Sequence, residues 1–165
     1  MSLPSSRRAF GWYTAERTAL RGLFALAEDS PRRLEASLGE GRVLVATDDD
    51  EIVGYLQLTD SDAVGAMELA SMAVAGACQR QGIGRALVER AIAHCRAEGA
   101  QTLLVATASA DTGNLRFYQR LGFRMLRVER DAFTVADGYR EGITIDGIPL
   151  RDRVWLSLTL APATR

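Results

Sequence analysis

The sequence predicts an α/β domain of the α+β kind, in which strands pair locally before helices cross over them. Three observations carry this. Residues 42–46 and 52–58 are runs of β-branched and large apolar residues separated by Asp48-Asp49-Asp50-Glu51, the pattern of a β-hairpin with an acidic tip. A third apolar run, residues 67–74, feeds through the turn Gln79-Arg80-Gln81-Gly82-Ile83-Gly84-Arg85 into a long helical periodicity. A strand pattern at residues 102–106 followed by a helical one at 113–121 repeats the strand-then-helix order.

Composition sets the frame for these elements. The 165 residues are 47% hydrophobic and 25% charged, so one domain spanning residues 1–165 is expected. A chain of that size buries roughly two thirds of its unfolded surface without metals or disulfides. No run approaches the ~18 apolar residues of a membrane-spanning helix. The start, Met1-Ser2-Leu3-Pro4-Ser5-Ser6-Arg7-Arg8, has no apolar core after its charges and is not expected to be a secretory signal. Cys78 and Cys95 are too few for a disulfide framework, and Cys95 on an apolar helix face reads as a buried reduced thiol. The expected compartment is the cytoplasm. A net charge of −1 gives no global attraction to nucleic acid, so any anion binding must be local.

Taken in order, Leu20, Leu23, Phe24 and Ala27 form a helical stripe, and Ser30-Pro31 opens a second short helix that ends near Gly39. Two helices are therefore expected before the sheet. The acidic run 48–51 reads as a solvated turn, because successive carboxylates in a turn diverge and no His or Cys accompanies them; no metal site is expected. From Gly82 to about Glu98, Leu87, Val88, Ala91, Ile92 and Cys95 share one helix face, while Arg85, Glu89 and Arg96 share the other. His94 falls at the border, as a solvent-edge residue. Gly99 ends this helix, Asp111 or Thr112 caps the next, and Gly122 closes it. Residues 123–128 and 154–160 are two further strands, and Asp146-Gly147 suits a small hairpin within residues 143–148.

The turn at residues 79–85 carries the chemistry. Two glycines let the backbone approach a ligand, and the unpaired N–H groups of the helix that follows attract an anion. A dinucleotide fingerprint would need Gly or Ala where Leu87 stands and an acid near Leu103, Leu104 or Val105. A P-loop needs lysine, and all 20 basic residues are arginine. The stretch Gln79-Arg80-Gln81-Gly82-Ile83-Gly84 instead resembles the Gln/Arg-x-x-Gly-x-Gly/Ala motif of the GCN5-related N-acetyltransferase (GNAT) superfamily. A second signature, Phe117-Tyr118-Gln119-Arg120-Leu121-Gly122-Phe123, resembles that family's Phe/Leu-Tyr-x-x-x-Gly-Phe ending.

The resemblance implies a mixed, mostly antiparallel splayed sheet flanked by helices. It also implies an enzyme that moves an acetyl or other acyl group from acetyl-CoA to a primary amine, by direct attack in a ternary complex. On that reading the backbone from Arg80 through Gln81, Gly82, Ile83 and Gly84 to Arg85 cradles the pyrophosphate, with side-chain help from Gln79, Arg80 and Arg85. Met72, Ala73 and Val74 pair with the pantetheine arm. Tyr118 is the general acid, protonated at neutral pH with a reference pKa of about 10. Glu68, six residues before Val74, is the general-base candidate; Tyr139 and Glu141 are further candidates near an acceptor. Many relatives carry Asn seven residues before the Tyr, where this chain has Asp111; its only asparagine, Asn114, is assigned a coenzyme contact, with Ser109 as another substitute. Residues 131–150 shape either a substrate site or a homodimer contact. The competing reading is a noncatalytic CoA-binding or interaction module on the same fold.

Overall fold

In the computed structural model, residues 7–160 are described; residues 1–6, which begin the segment read as lacking a secretory core, lie outside them. The described residues open with a strand, β1 (Arg8–Trp12), where only helices were expected before the sheet. Its signal is faint because it is short, contains Gly11, and offers the core little beyond Phe10. The first expected helix shrinks to a 3-10 turn over Arg17–Leu20 running into α1 (Arg21–Phe24), yet Leu20 and Phe24 are buried as the stripe required. The second is α2 (Pro31–Leu38), with Pro31 in its first turn and the Ser30 hydroxyl accepting from the Arg33 N–H.

The hairpin β2 (Arg42–Asp48) and β3 (Glu51–Asp60) turns on Asp49 and Asp50, both at positive φ, as a tight two-residue hairpin demands. There follow β4 (Ala66–Val74), α3 (Ile83–Ala97), β5 (Thr102–Ala108), α4 (Thr112–Arg120) and β6 (Arg124–Glu129). The small hairpin β7 (Thr144–Ile145) and β8 (Ile148–Pro149) forms through Asp146-Gly147, and β9 (Arg153–Thr159) completes the fold. The main sheet runs β1-β2-β3-β4-β5-β9-β6, and every pairing is antiparallel except β4 with β5. No described helix is long and apolar enough to cross a membrane.

Both faces of this sheet are covered, and alternation along each strand sorts its side chains between two cores. One core lies under α3 and α4 and collects Leu44, Leu56, Leu58, Leu69, Leu87, Ala91, Cys95, Leu103, Tyr118 and Leu156. The other lies under α1 and α2 and collects Leu20, Phe24, Leu34, Leu38, Val43, Val45 and Tyr55, with Phe24 stacked on Tyr55 at 4.1 Å. Burial pushes the Cys95 thiol up to about 11, so it stays protonated and inert at neutral pH. His94 is half-buried beside Trp12, 4.6 Å between ring centroids, with an Arg42 guanidinium nitrogen 3.1 Å from its Nε2; it has no contact with the cleft described next.

Candidate active site

The site begins where two neighbouring strands part. Strand β4 pairs with β5 only from Ala66 to Leu69, opposite Thr102 to Val105; beyond that point β5 continues along β9 alone. A β-bulge marks the parting: Gln57 faces Ser71 and Leu58 faces Leu69, which leaves Ala70 as the extra residue. The last residues of β4 thus keep one edge unpaired. Their hydrogen bonds can be assigned by alternation. The Ala75 N–H donates to Val53 O, so the pair Tyr55–Ala73 lies in the hydrogen-bonded register. The N–H and C=O of Met72 and Val74 therefore point into the gap, whereas those of Ala73 are spent on β3. Of the three residues expected to pair with a pantetheine arm, Met72 offers its N–H and C=O and Val74 its N–H, the Val74 carbonyl being taken by Gln79, and Ala73 contributes its side chain to the second core.

At the top of β4 the chain makes a 3-10 turn over Gly76–Cys78 and enters the glycine loop. Gln79 folds back, its Nε2 donating to Val74 O at 3.0 Å, which locks the loop to the strand end. Arg80 and Gly82 both sit at positive φ, +59° and +81°; glycine adopts this freely and arginine at a cost. Helix α3 starts at Ile83 with no side-chain cap, so the N–H groups of Ile83, Gly84 and Arg85 have no partner among the described residues. An uncapped helix start next to a cationic loop is an anion site. Arg80 forms no ion pair among the described residues, while Arg85 is shared with Glu89 at 2.8 Å. Gln81 turns away: its backbone and side-chain oxygens accept from Arg8 on β1, and it alone of the expected cofactor residues does not line the cleft.

On the same face stands Tyr118, carried by α4. Its ring is buried edge-on between Phe117 (5.1 Å) and Phe123 (5.5 Å), and its hydroxyl makes no hydrogen bond to a described residue. Burial, then the Asp111 charge and the Tyr55 phenol, push its acidity well below that of free tyrosine, so it is held protonated. Asp111 sits where relatives carry the asparagine, and it is the cap of α4, accepting from the Asn114 N–H at 2.9 Å. Asn114, exposed in the first turn, lines the cleft with its Nδ2 3.4 Å from Thr107 Oγ1.

The opposite face of the gap holds a different set. Met67 and Leu69 pack under α3, so Glu68 between them points to the α1–α2 side. Burial raises its pKa, as do the Glu40 and Asp62 carboxylates, while Arg153 partly offsets them. Around it the cleft is lined by Gln57, Ser71, Phe133, Tyr139, Arg153 and Trp155. Residues 131–150 contribute a wall here, tied down by Ser30 Oγ to Asp137 O (3.0 Å) and Arg32 to Ala136 O (2.6 Å). Tyr139 is buried against Phe133 and held protonated by burial and by the adjacent Glu28; Glu141 is exposed and outside the cleft. Of this set the sequence reading had singled out Glu68 and Tyr139. Gln57 had one legible signal, a lone amide inside the apolar run of β3.

The gap is thus a continuous cleft of about 1240 Å³ passing between the sheet's two faces. The unpartnered N–H groups of the α3 start and Tyr118 stand on one side, and Glu68 on the other. A sheet opened this way, with an empty strand position leading to an uncapped helix, suits an extended ligand that pairs along β4 and places an anionic group at the helix start. Comparison with known proteins agrees. The sequence profile described as "Acetyltransferase (GNAT) family" matches residues 9–123. The N-acetyltransferase YvbK of Bacillus subtilis (strain 168) is 32% identical over 141 residues, covering 86% of this chain and 89% of that protein. Among solved structures, a GNAT family acetyltransferase from Elizabethkingia anophelis with acetyl-CoA bound superposes with a TM-score of 0.84 at 29% identity, covering 93% of this chain and 98% of the other. A Bacillus subtilis acetyltransferase in complex with CoA gives 0.80 at 30% identity, over 95% and 100%. The chain belongs to the acetyltransferase (GNAT) family and is an acetyl-CoA-dependent N-acetyltransferase.

Proposed function

We propose that the chain acetylates a primary amine by direct attack on acetyl-CoA in a ternary complex, with donor and acceptor entering from opposite faces of the sheet. The observation that carries this is the parting of β4 from β5 between Tyr118 and Glu68. The pyrophosphate rests on the free N–H groups of Ile83 to Arg85, and the pantetheine amides pair with Met72 and Val74. Gln79 and Asn114 supply polar walls, and Arg80 and Arg85 supply charge.

The amine, after losing a proton to Glu68 or through it to water, attacks the thioester carbonyl carbon, and an unspent backbone N–H near the bulge meets the developing oxyanion. The tetrahedral intermediate then collapses, the C–S bond breaks, Tyr118 donates its proton to the departing sulfur, and the attacking nitrogen releases its second proton to water to leave the neutral amide. Solvent reprotonates the phenolate. Burial weakens Tyr118 as an acid, and the same dry surroundings raise the proton affinity of the thiolate, so the two shift together. Two free cysteines and the use of acetyl-CoA fit a cytoplasmic enzyme.

Calorimetry with CoA and thiol release from acetyl-CoA over an amine panel test the reading. Tight CoA binding with amine-dependent thiol release is expected. Binding without release from any amine would leave a noncatalytic CoA module, and no binding would remove both.

A further inference from the structure

Between two residues at positive φ, Arg80 (+59°) and Gly82 (+81°), Gln81 carries the peptide that decides what the loop presents to a ligand. That peptide is trans, so the Gln81 C=O and the Gly82 N–H share a plane and point in opposite directions. Arg8 Nη1 donates to the carbonyl at 3.1 Å, and Arg8 Nη2 donates to Gln81 Oε1. Gly82 lines the cleft, whereas Arg8 and Gln81 do not. With the carbonyl drawn toward β1, the Gly82 N–H is turned the other way. It has no partner among the described residues, and it precedes the free N–H groups of Ile83 to Arg85.

The guanidinium is held from behind. β1 pairs with β2 so that Arg8 lies opposite Asp48, and the Arg7 N–H donates to Asp49 Oδ1 at 3.1 Å. Asp48 Oδ2 lies 3.8 Å from Arg8 Nε, which leaves both terminal nitrogens of the fork for the loop. The loop needs such a hold because it has an alternative. Glycine accepts φ of either sign, and no atom lies within 4 Å of a Cβ position at Gly82, so the Gln81–Gly82 peptide can rotate without a clash there. The rotated peptide turns a carbonyl oxygen toward the anion site in place of an N–H, and a carbonyl repels what the helix start attracts.

We infer that Arg8 is a positioning residue for acetyl-CoA: from β1 it fixes the Gln81–Gly82 peptide and so keeps the Gly82 N–H aimed at the pyrophosphate. This rests on the reading of the loop as the pyrophosphate cradle. Arg8 acts through Gln81 and from outside the cleft. Releasing it divides the free protein between two loop states of which one binds, and apparent affinity falls with the competent fraction. Two exposed hydrogen bonds from a charged donor bias that equilibrium by about three- to tenfold.

The test is calorimetry with CoA on Arg8→Met, Arg8→Lys and Gln81→Ala, together with amide NMR spectra of the free proteins. Arg8→Met keeps the aliphatic stem and removes the donors; it should weaken CoA about three- to tenfold and double or broaden the amide signals of Gln81 to Gly84, with CoA restoring single signals. Arg8→Lys keeps a donor within reach of the Gln81 carbonyl and should recover most of the affinity. Full affinity in folded Arg8→Met, weakened binding with unaltered loop signals, or an equal loss in Arg8→Lys overturns the inference. Asp48 makes no other ion pair among the described residues, so a thermal melt checks each Arg8 variant. If Arg8→Met does not fold, Gln81→Ala decides, since it leaves the Arg8–Asp48 pair in place: about two- to threefold weaker binding with broadened loop signals supports the inference, and unaltered signals overturn it. Failure of the wild type to bind CoA overturns the cradle reading beneath it.

Discussion

Replacing Tyr118 by Phe separates a catalytic hydroxyl from a packed ring. The ring is held by Phe117 and Phe123, contacts that phenylalanine keeps. The hydroxyl has no hydrogen-bond partner among the described residues, so removing it forfeits no bond. Stability should therefore change by no more than about 1 kcal/mol, a melting shift of roughly 2–4 °C at most for a chain this size. If Tyr118 delivers the proton to sulfur, the same substitution should lower kcat by about 10²- to 10⁴-fold, the range for loss of a positioned acid. That corresponds to about 2.7–5.4 kcal/mol of transition-state stabilisation. Affinity for acetyl-CoA should move by less than about threefold, because the phosphates and pantetheine are held elsewhere. Thiol release at saturating amine, calorimetry with CoA and a thermal melt give the three numbers. Because burial holds Tyr118 protonated past its usual 10.0, the wild type should show no basic limb from this group below about pH 10. Parallel losses of affinity and kcat, or a large drop in melting temperature with the rate intact, would refute the acid assignment and leave a packing role.

Three further outcomes follow from the same geometry. Gly82 stands at φ +81° with no atom within 4 Å of where a Cβ would go, so Gly82→Val costs backbone strain alone, about 1–2 kcal/mol or more; CoA binding should weaken at least about tenfold by calorimetry. By contrast, an added Cβ at Gly84 meets Phe117 at 3.6 Å, an ordinary contact, and Gly84→Ala should bind within about threefold of wild type; the reverse order would discredit the loop assignment. Native protein should consume one equivalent of iodoacetamide, at half-buried Cys78 on the cleft wall, and saturating CoA should slow it; rapid labelling of Cys95 before unfolding would contradict its burial. Glu68 has a folded-state pKa above its usual 4.5, so the folded protein holds that proton more tightly than the unfolded chain. Its contribution to stability is then lost as pH rises through the raised value, and Glu68→Gln should melt at or above wild type at neutral pH, with the two curves converging in acid. As a base Glu68 must be ionised, so wild-type kcat/KM should fall as pH drops through that raised pKa. Glu68→Gln should abolish this limb, and an unaltered limb would move the base elsewhere.

What could be read before the fold was known depended on how local the cause was. The β2–β3 hairpin, the α3 face from Leu87 to Cys95 and the Asp146-Gly147 turn each follow from periodicity or backbone preference within a few residues. β1 escaped because an edge strand with one partner needs little apolar patterning to stay paired. Ala73 was grouped with Met72 and Val74, since sequence gives no hydrogen-bond parity and the bulge at Ala70 resets which edge each residue presents. Asp111, one of the two residues expected to cap α4, does so by accepting from the Asn114 N–H, a role its position at the helix start already made legible.

The sequence alone determined the half of the cleft proposed to hold the acyl donor. Gly82 at a left-handed position, the bare helix start at Ile83 and Tyr118 ahead of Gly122-Phe123 are short-range features, and short-range sterics and motif spacing encode them. The half proposed to take the acceptor was decided by tertiary structure. Gln57, Glu68, Phe133, Tyr139, Arg153 and Trp155 come from β3, β4, the loop after β6, and β9, and they meet only because β4 leaves β5 at Leu69. No local propensity encodes such a meeting, since it depends on the register of strands nearly a hundred residues apart.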